Sequence, residues 1–90
     1  MTLNAAQIIG LKALTFVAAD EERITNLCAL TGIEAIELKR FAGNDEVLAG
    51  ILDFLLEDES ILLKFCRVAD LQPETPKLAR DVLSGVAPEW

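Results

Sequence analysis

Apolar residues recur at helical spacing along almost the whole chain, and the breaks between them are marked by capping residues, glycine or proline. Asn4, with Gln7 three residues on, has the form of a capping box and predicts a first helix running to about Ala19. Asp20 then reads as the cap of a second helix. Glu21 and Glu22 fall where the helix dipole favours negative charge, and Ile24, Leu27, Cys28 and Leu30 share one side. Thr31-Gly32 closes that helix, because glycine tolerates the left-handed backbone of a helix end. A shorter helix from about Glu34 to Ala42 follows, with Ile36 and Phe41 apolar, Leu38 buried and Gly43 as its stop.

The fourth helix, from Asp45 to about Glu57, carries Leu48, Ile51, Leu52 and Leu55 on one face. Val47, Phe54 and Leu56 widen that stripe, which predicts a central position. Asp58 opens a fifth helix with Ile61, Leu62, Phe65, Cys66 and Val68, ended by Leu71-Gln72-Pro73. Thr75-Pro76 reads as an N-cap followed by proline at the first helical position, where the missing amide hydrogen costs nothing. The last helix uses Leu78, Ala79, Val82 and Leu83 and stops at Gly85. No alternating run bounded by hairpin residues signals a strand. The expectation is one all-α domain over residues 1–90, a compact bundle of five to six helices. Its centre is expected to be a hairpin of the fourth and fifth helices, with Leu52, Leu55, Leu62 and Phe65 in the core and residues 86–90 as a flexible tail.

The pattern also repeats. LTFVAADEERITNLCALTGI (Leu14 to Ile33) and LDFLLEDESILLKFCRVADL (Leu52 to Leu71) align with Leu14/Leu52, Phe16/Phe54, Asp20/Asp58, Glu21/Glu59 and Cys28/Cys66 identical. Val17/Leu55, Ile24/Leu62, Leu27/Phe65, Leu30/Val68 and Ile33/Leu71 stay apolar at positions expected to face a core. Two pseudo-repeated three-helix halves would place Cys28 and Cys66 at equivalent core sites. Chance recurrence of helical spacing and Asp caps in a Leu-rich chain gives the same fold class.

Ninety residues make one small domain, which must use its core efficiently. No apolar stretch approaches the roughly 20 residues of a membrane span, and the start of the chain has no basic leader before its apolar residues, so a cytoplasmic protein is expected. In that compartment Cys28 and Cys66 stay reduced, as small buried hydrophobes. A net charge of −7 with dispersed cations opposes nucleic acid and anionic membranes. It leaves a protein partner or self-association as the expected kind of binding.

The chain has no histidine and no tyrosine, which removes the usual neutral-pH acid/base group and the commonest metal ligand. The five glycines are too scattered to cradle a phosphate. No enzyme, cofactor or resident metal is expected. The best remaining carboxylate cluster is Asp53, Glu57, Asp58 and Glu59; Asp53 and Glu57 stand one helical turn apart and could share a hard cation, against the plainer reading of a solvated edge with a cap. Asp53, Glu57, Glu59 and the terminal Trp90 are the candidate partner surface. A competing reading is a helix-turn-helix from Leu27 to Phe41. Its second helix, exposing Glu34, Glu37, Lys39 and Arg40, would bring acidic groups to phosphates.

The segments Ala13-Leu14-Thr15-Phe16-Val17-Ala18 leading to Asp20 and Arg23, Leu30-Thr31-Gly32-Ile33, and Leu52-Asp53-Phe54-Leu55 with Asp58-Glu59 carry a family resemblance that continues through Leu62, Leu63, Phe65 and Pro73. The chain resembles a family of small alphaproteobacterial proteins of about this length, catalogued as a domain of unknown function. Ala35 departs from it, since the family's third helix often begins with proline. The resemblance implies a small cytoplasmic helical protein and supplies no catalytic residue.

Overall fold

Side-chain caps set where most of the helices begin. A computed structural model of the chain describes residues 1–40 and 42–87. These form α1 (Leu3–Ala18), α2 (Glu21–Thr31), α3 (Ala35–Arg40), α4 (Asp45–Leu56), α5 (Glu59–Ala69) and α6 (Thr75–Leu83), with no strand among the described residues. Asp20 caps α2 by accepting from the amides of Glu22 and Arg23 at 2.9 and 3.3 Å, and Asp58 caps α5 by accepting from Ile61 N at 3.2 Å. Gly32 closes α2 in the left-handed region, φ 76°.

Two caps differ from the sequence reading. Thr2, not Asn4, caps α1, its hydroxyl accepting from Ala5 N at 3.1 Å, so Asn4 lies within the first turn. Gln7 is thereby released from a capping box, and its Nε2 donates to Asp45 Oδ1 at 2.9 Å, tying α1 to the start of α4. At α6 the helix begins at Thr75 itself. Glu74 occupies the cap position with helical backbone and without a side-chain hydrogen bond, and Pro76 lies buried in the first turn.

The core is built on α1, α4 and α6, which pack against one another, with α2 and α5 on the flanks. This corrects the expected central hairpin of the fourth and fifth helices. The reason is the small-residue face of α1: Ala6, Gly10 and Ala13 are buried in a row, and a Cβ on Gly10 would stand 2.9 Å from Leu48 Cβ. That face lets α1 take the place beside α4 that α5 was expected to fill. Leu52, Leu55 and Phe65 are fully buried as expected, while Leu62 is partly buried. α5 sends only Phe65 and Cys66 fully into the core, with Ile61, Leu62 and Ala69 packed part-buried against it. Val68, one turn on, is 71% exposed, and Leu30, Ile36 and Leu78 also lie at the surface rather than in the core.

The aligned segments behave alike up to a point. Asp20 and Asp58 both cap helices, Val17/Leu55 and Leu27/Phe65 are fully buried pairs, and Leu30/Val68 are both exposed. Cys28 is half-buried where Cys66 is buried. Beyond them the halves part company: α6 lies against both α1 and α4, whereas α3 sits at the margin with Leu38 as its buried residue. After α6, the amides of Val86 and Ala87 donate back to Asp81 O at 2.9 and 3.1 Å, so the first residues of the expected tail fold onto the helix end.

Candidate functional site

Where α5 leaves the core, an open groove of about 750 Å³ runs between it and α1. Phe16 of α1 and Phe65 of α5 form its floor, their ring centroids 5.5 Å apart and the planes tilted by 57°, a favoured aromatic geometry. The α1 wall carries Ile8, Leu11 and Thr15, and the α5 wall carries Val68 and Ala69. Ile8, Leu11 and Val68 are 47%, 43% and 71% exposed, so this apolar surface is open to water.

Three cations line the same groove: Lys12 on the α1 wall, Lys64 on the α5 wall, and Arg23 from the first turn of α2. The Arg23 guanidinium lies 4.1 Å from the centroid of the Phe16 ring and donates to Phe16 O at 3.3 Å. Among the described residues no carboxylate lines the groove, although the chain holds 15. The cause is visible in α1, which has no acidic residue from end to end. A second hollow of about 650 Å³ adjoins the groove at Thr15 and Ala19 and is walled by Leu14, Ala18, Ile24 and Leu38.

The residues singled out from sequence do not converge. Asp53 forms a two-point ion pair with Arg80 across α4 and α6, at 2.7 Å to Nε and 3.4 Å to Nη2. Both of its oxygens are therefore used in joining helices rather than in a site shared with Glu57. Glu57 follows α4 as its exposed C-cap, and Glu59 is the exposed first residue of α5. Among the described residues no group of three His, Cys, Asp or Glu side chains is placed to hold a metal ion. Trp90 and Phe41 lie outside the described residues.

The helix-turn-helix segment forms α2 and α3 around Gly32, with Leu27 and Leu38 buried. Its second helix has only six residues, and Lys39 and Arg40 are exposed beside exposed Glu34. Both cysteines are free thiols. Burial pushes the Cys66 thiol up, helped by the negative charge of Glu74, which keeps it protonated near neutral pH. The Arg80 guanidinium is held more firmly protonated by its hydrogen bond and charge contact with Asp53. Asp81 is held below the usual carboxylate range, chiefly by the Lys77 ammonium at 3.1 Å.

The groove is not legible in the sequence because Lys12, Arg23 and Lys64 are distant along the chain and the helical spacing of Val68 predicts a core position. One signal was present: every carboxylate lies after Ala19. No curated protein and no solved structure matches the chain. A family match does cover residues 3–86, nearly the whole length, and the chain belongs to the family described as Protein of unknown function (DUF3572).

Proposed function

We propose that this protein is a non-enzymatic interaction module that binds a protein partner through the groove between α1 and α5. The observation that carries the reading is a concave apolar surface, with Ile8, Leu11 and Val68 exposed over a Phe16–Phe65 floor, in a chain whose remaining charge favours solubility. Surfaces of this kind are favoured docking sites for helices, because an apolar face can be buried without disturbing the host fold. The lack of histidine and tyrosine supports a non-catalytic role. The acidic edge at Asp53, Glu57 and Glu59 supports binding less well, since Asp53 is engaged by Arg80 and the other two are solvated ends of helices.

The test is site-specific photocrosslinking in lysate of the native host. A benzophenone side chain at Leu11 or Val68 is expected to give a discrete protein adduct. The same group at Glu46, exposed on α4 outside the groove, gives none. The adduct should vanish when Ile8→Asp is added. Identical adducts from all three positions, or none from any, would remove the groove as a protein-binding site.

A further inference from the structure

We propose that the occupant of this groove is an acidic amphipathic helix of a different protein, a step that rests on the interaction reading above. Shape gives the first half of the argument. Ile8, Leu11, Thr15 and Ala19 follow one another along one wall at helical spacing. At a rise of about 1.5 Å per residue they mark out about 16 Å, which is three turns of a docked helix. Thr15, Ala19 and Ala69 are small, so an incoming helix can lie close to both walls, while exposed Ile8, Leu11 and Val68 meet its apolar side chains above the buried Phe16–Phe65 pair.

Charge gives the second half. Lys12 and Lys64 line the groove from opposite walls and Arg23 joins them from α2, with no lining carboxylate among the described residues to neutralise them. A helix that is apolar on one side and carries Glu or Asp on its flanks meets complementary charge on both rims. A basic helix meets like charge there, and unfavourable pairs of that kind select against wrong partners. A second copy is a poor occupant, because each copy brings a net charge of −7 to the encounter. A membrane is disfavoured for the same reason, since three cations sit on a strongly anionic body.

The experiment is selection of a displayed library against the full chain. The library consists of helices of about 18 residues with Leu and Phe fixed at one face and Glu, Gln or Lys allowed elsewhere. Acidic members should be enriched. A synthetic acidic peptide should bind at least about tenfold more tightly than its lysine counterpart, with the gap narrowing in about 0.5 M salt. Lys12→Glu with Lys64→Glu should invert the preference, and Val68→Asp should abolish both interactions, each variant first shown to keep the parent's helical spectrum and melting curve. Val68-dependent binding of neutral or basic peptides as tight as the acidic one would overturn the acidic occupant while leaving the interaction reading in place. Absence of any Val68-dependent peptide also overturns it, as does Val68-dependent binding to phosphatidylglycerol vesicles alone. The crosslinking at Leu11 and Val68 then decides separately whether the groove meets a protein.

Discussion

Gly10 leaves no room for a side chain between α1 and α4. An added methyl there would stand 2.9 Å from Leu48 Cβ, an atom fixed to the α4 backbone that cannot swing aside. Gly10→Ala is therefore expected to destabilise by about 1 kcal/mol. The helix-propensity gain of about 0.5–1 kcal/mol is outweighed by an overpacking cost of about 1–3 kcal/mol. Urea denaturation of the pair measures it, and an unchanged or higher midpoint would show that α1 and α4 can separate freely. Leu55, fully buried on α4, tests the opposite error. Leu55→Ala should cost about 2–5 kcal/mol, because the surroundings close only partly over the lost side chain. Both residues belong to patterns readable in the sequence, but only Leu55 declared itself. A glycine inside a helix does not announce which neighbour it admits.

At the scale of the element, capping separates helices that start by themselves from those held by their neighbours. Asp20 caps α2 through two amides, so Asp20→Ala should lower stability by about 1 kcal/mol. Thr75 caps nothing, and Thr75→Ala should leave the thermal midpoint nearly unchanged. Equal losses from the two substitutions would contradict this account of how the helices begin. α6 instead depends on its buried Pro76, Ala79 and Leu83 and on the Lys77–Asp81 pair one turn apart. Because the folded state holds Asp81 below its ordinary pKa, this pair adds stability above the unfolded value of about 3.9. That contribution fades as pH falls through the lower folded value. Carboxyl carbon titration by NMR should find Asp81 low in the native protein and raised in Lys77→Met. Asp20, Asp58 and Gly32 were legible because capping is local chemistry. Asn4 and Thr75 were misread because the helical backbone already includes each, beginning at Leu3 and at Thr75 itself, which places both inside the first turn.

For the whole molecule, the arrangement of α1, α4 and α6 leaves α5 on the flank with only Phe65 and Cys66 fully buried, and the groove is the consequence. Cys66 reports on that attachment: its thiol is buried, shifted toward the protonated form and close to Gln72 O at 3.8 Å. In a Cys28→Ser variant, Cys66 should resist alkylation at neutral pH until the whole fold opens, with a labelling rate that follows denaturant as global unfolding does. Labelling that is fast and independent of denaturant would mean that α5 detaches by itself. By itself the sequence determined the helical class, the order of the elements and most core residues, since spacing and capping are properties of short segments. It could not decide which helices share the centre. That choice followed from the small face of α1 meeting Leu48 and from α6 lying across both long helices. The same choice moved Val68 to the surface and brought Lys12, Arg23 and Lys64 to one groove. Periodicity shows that a helix has an apolar face; only the competition among such faces for a limited core decides which of them stay uncovered.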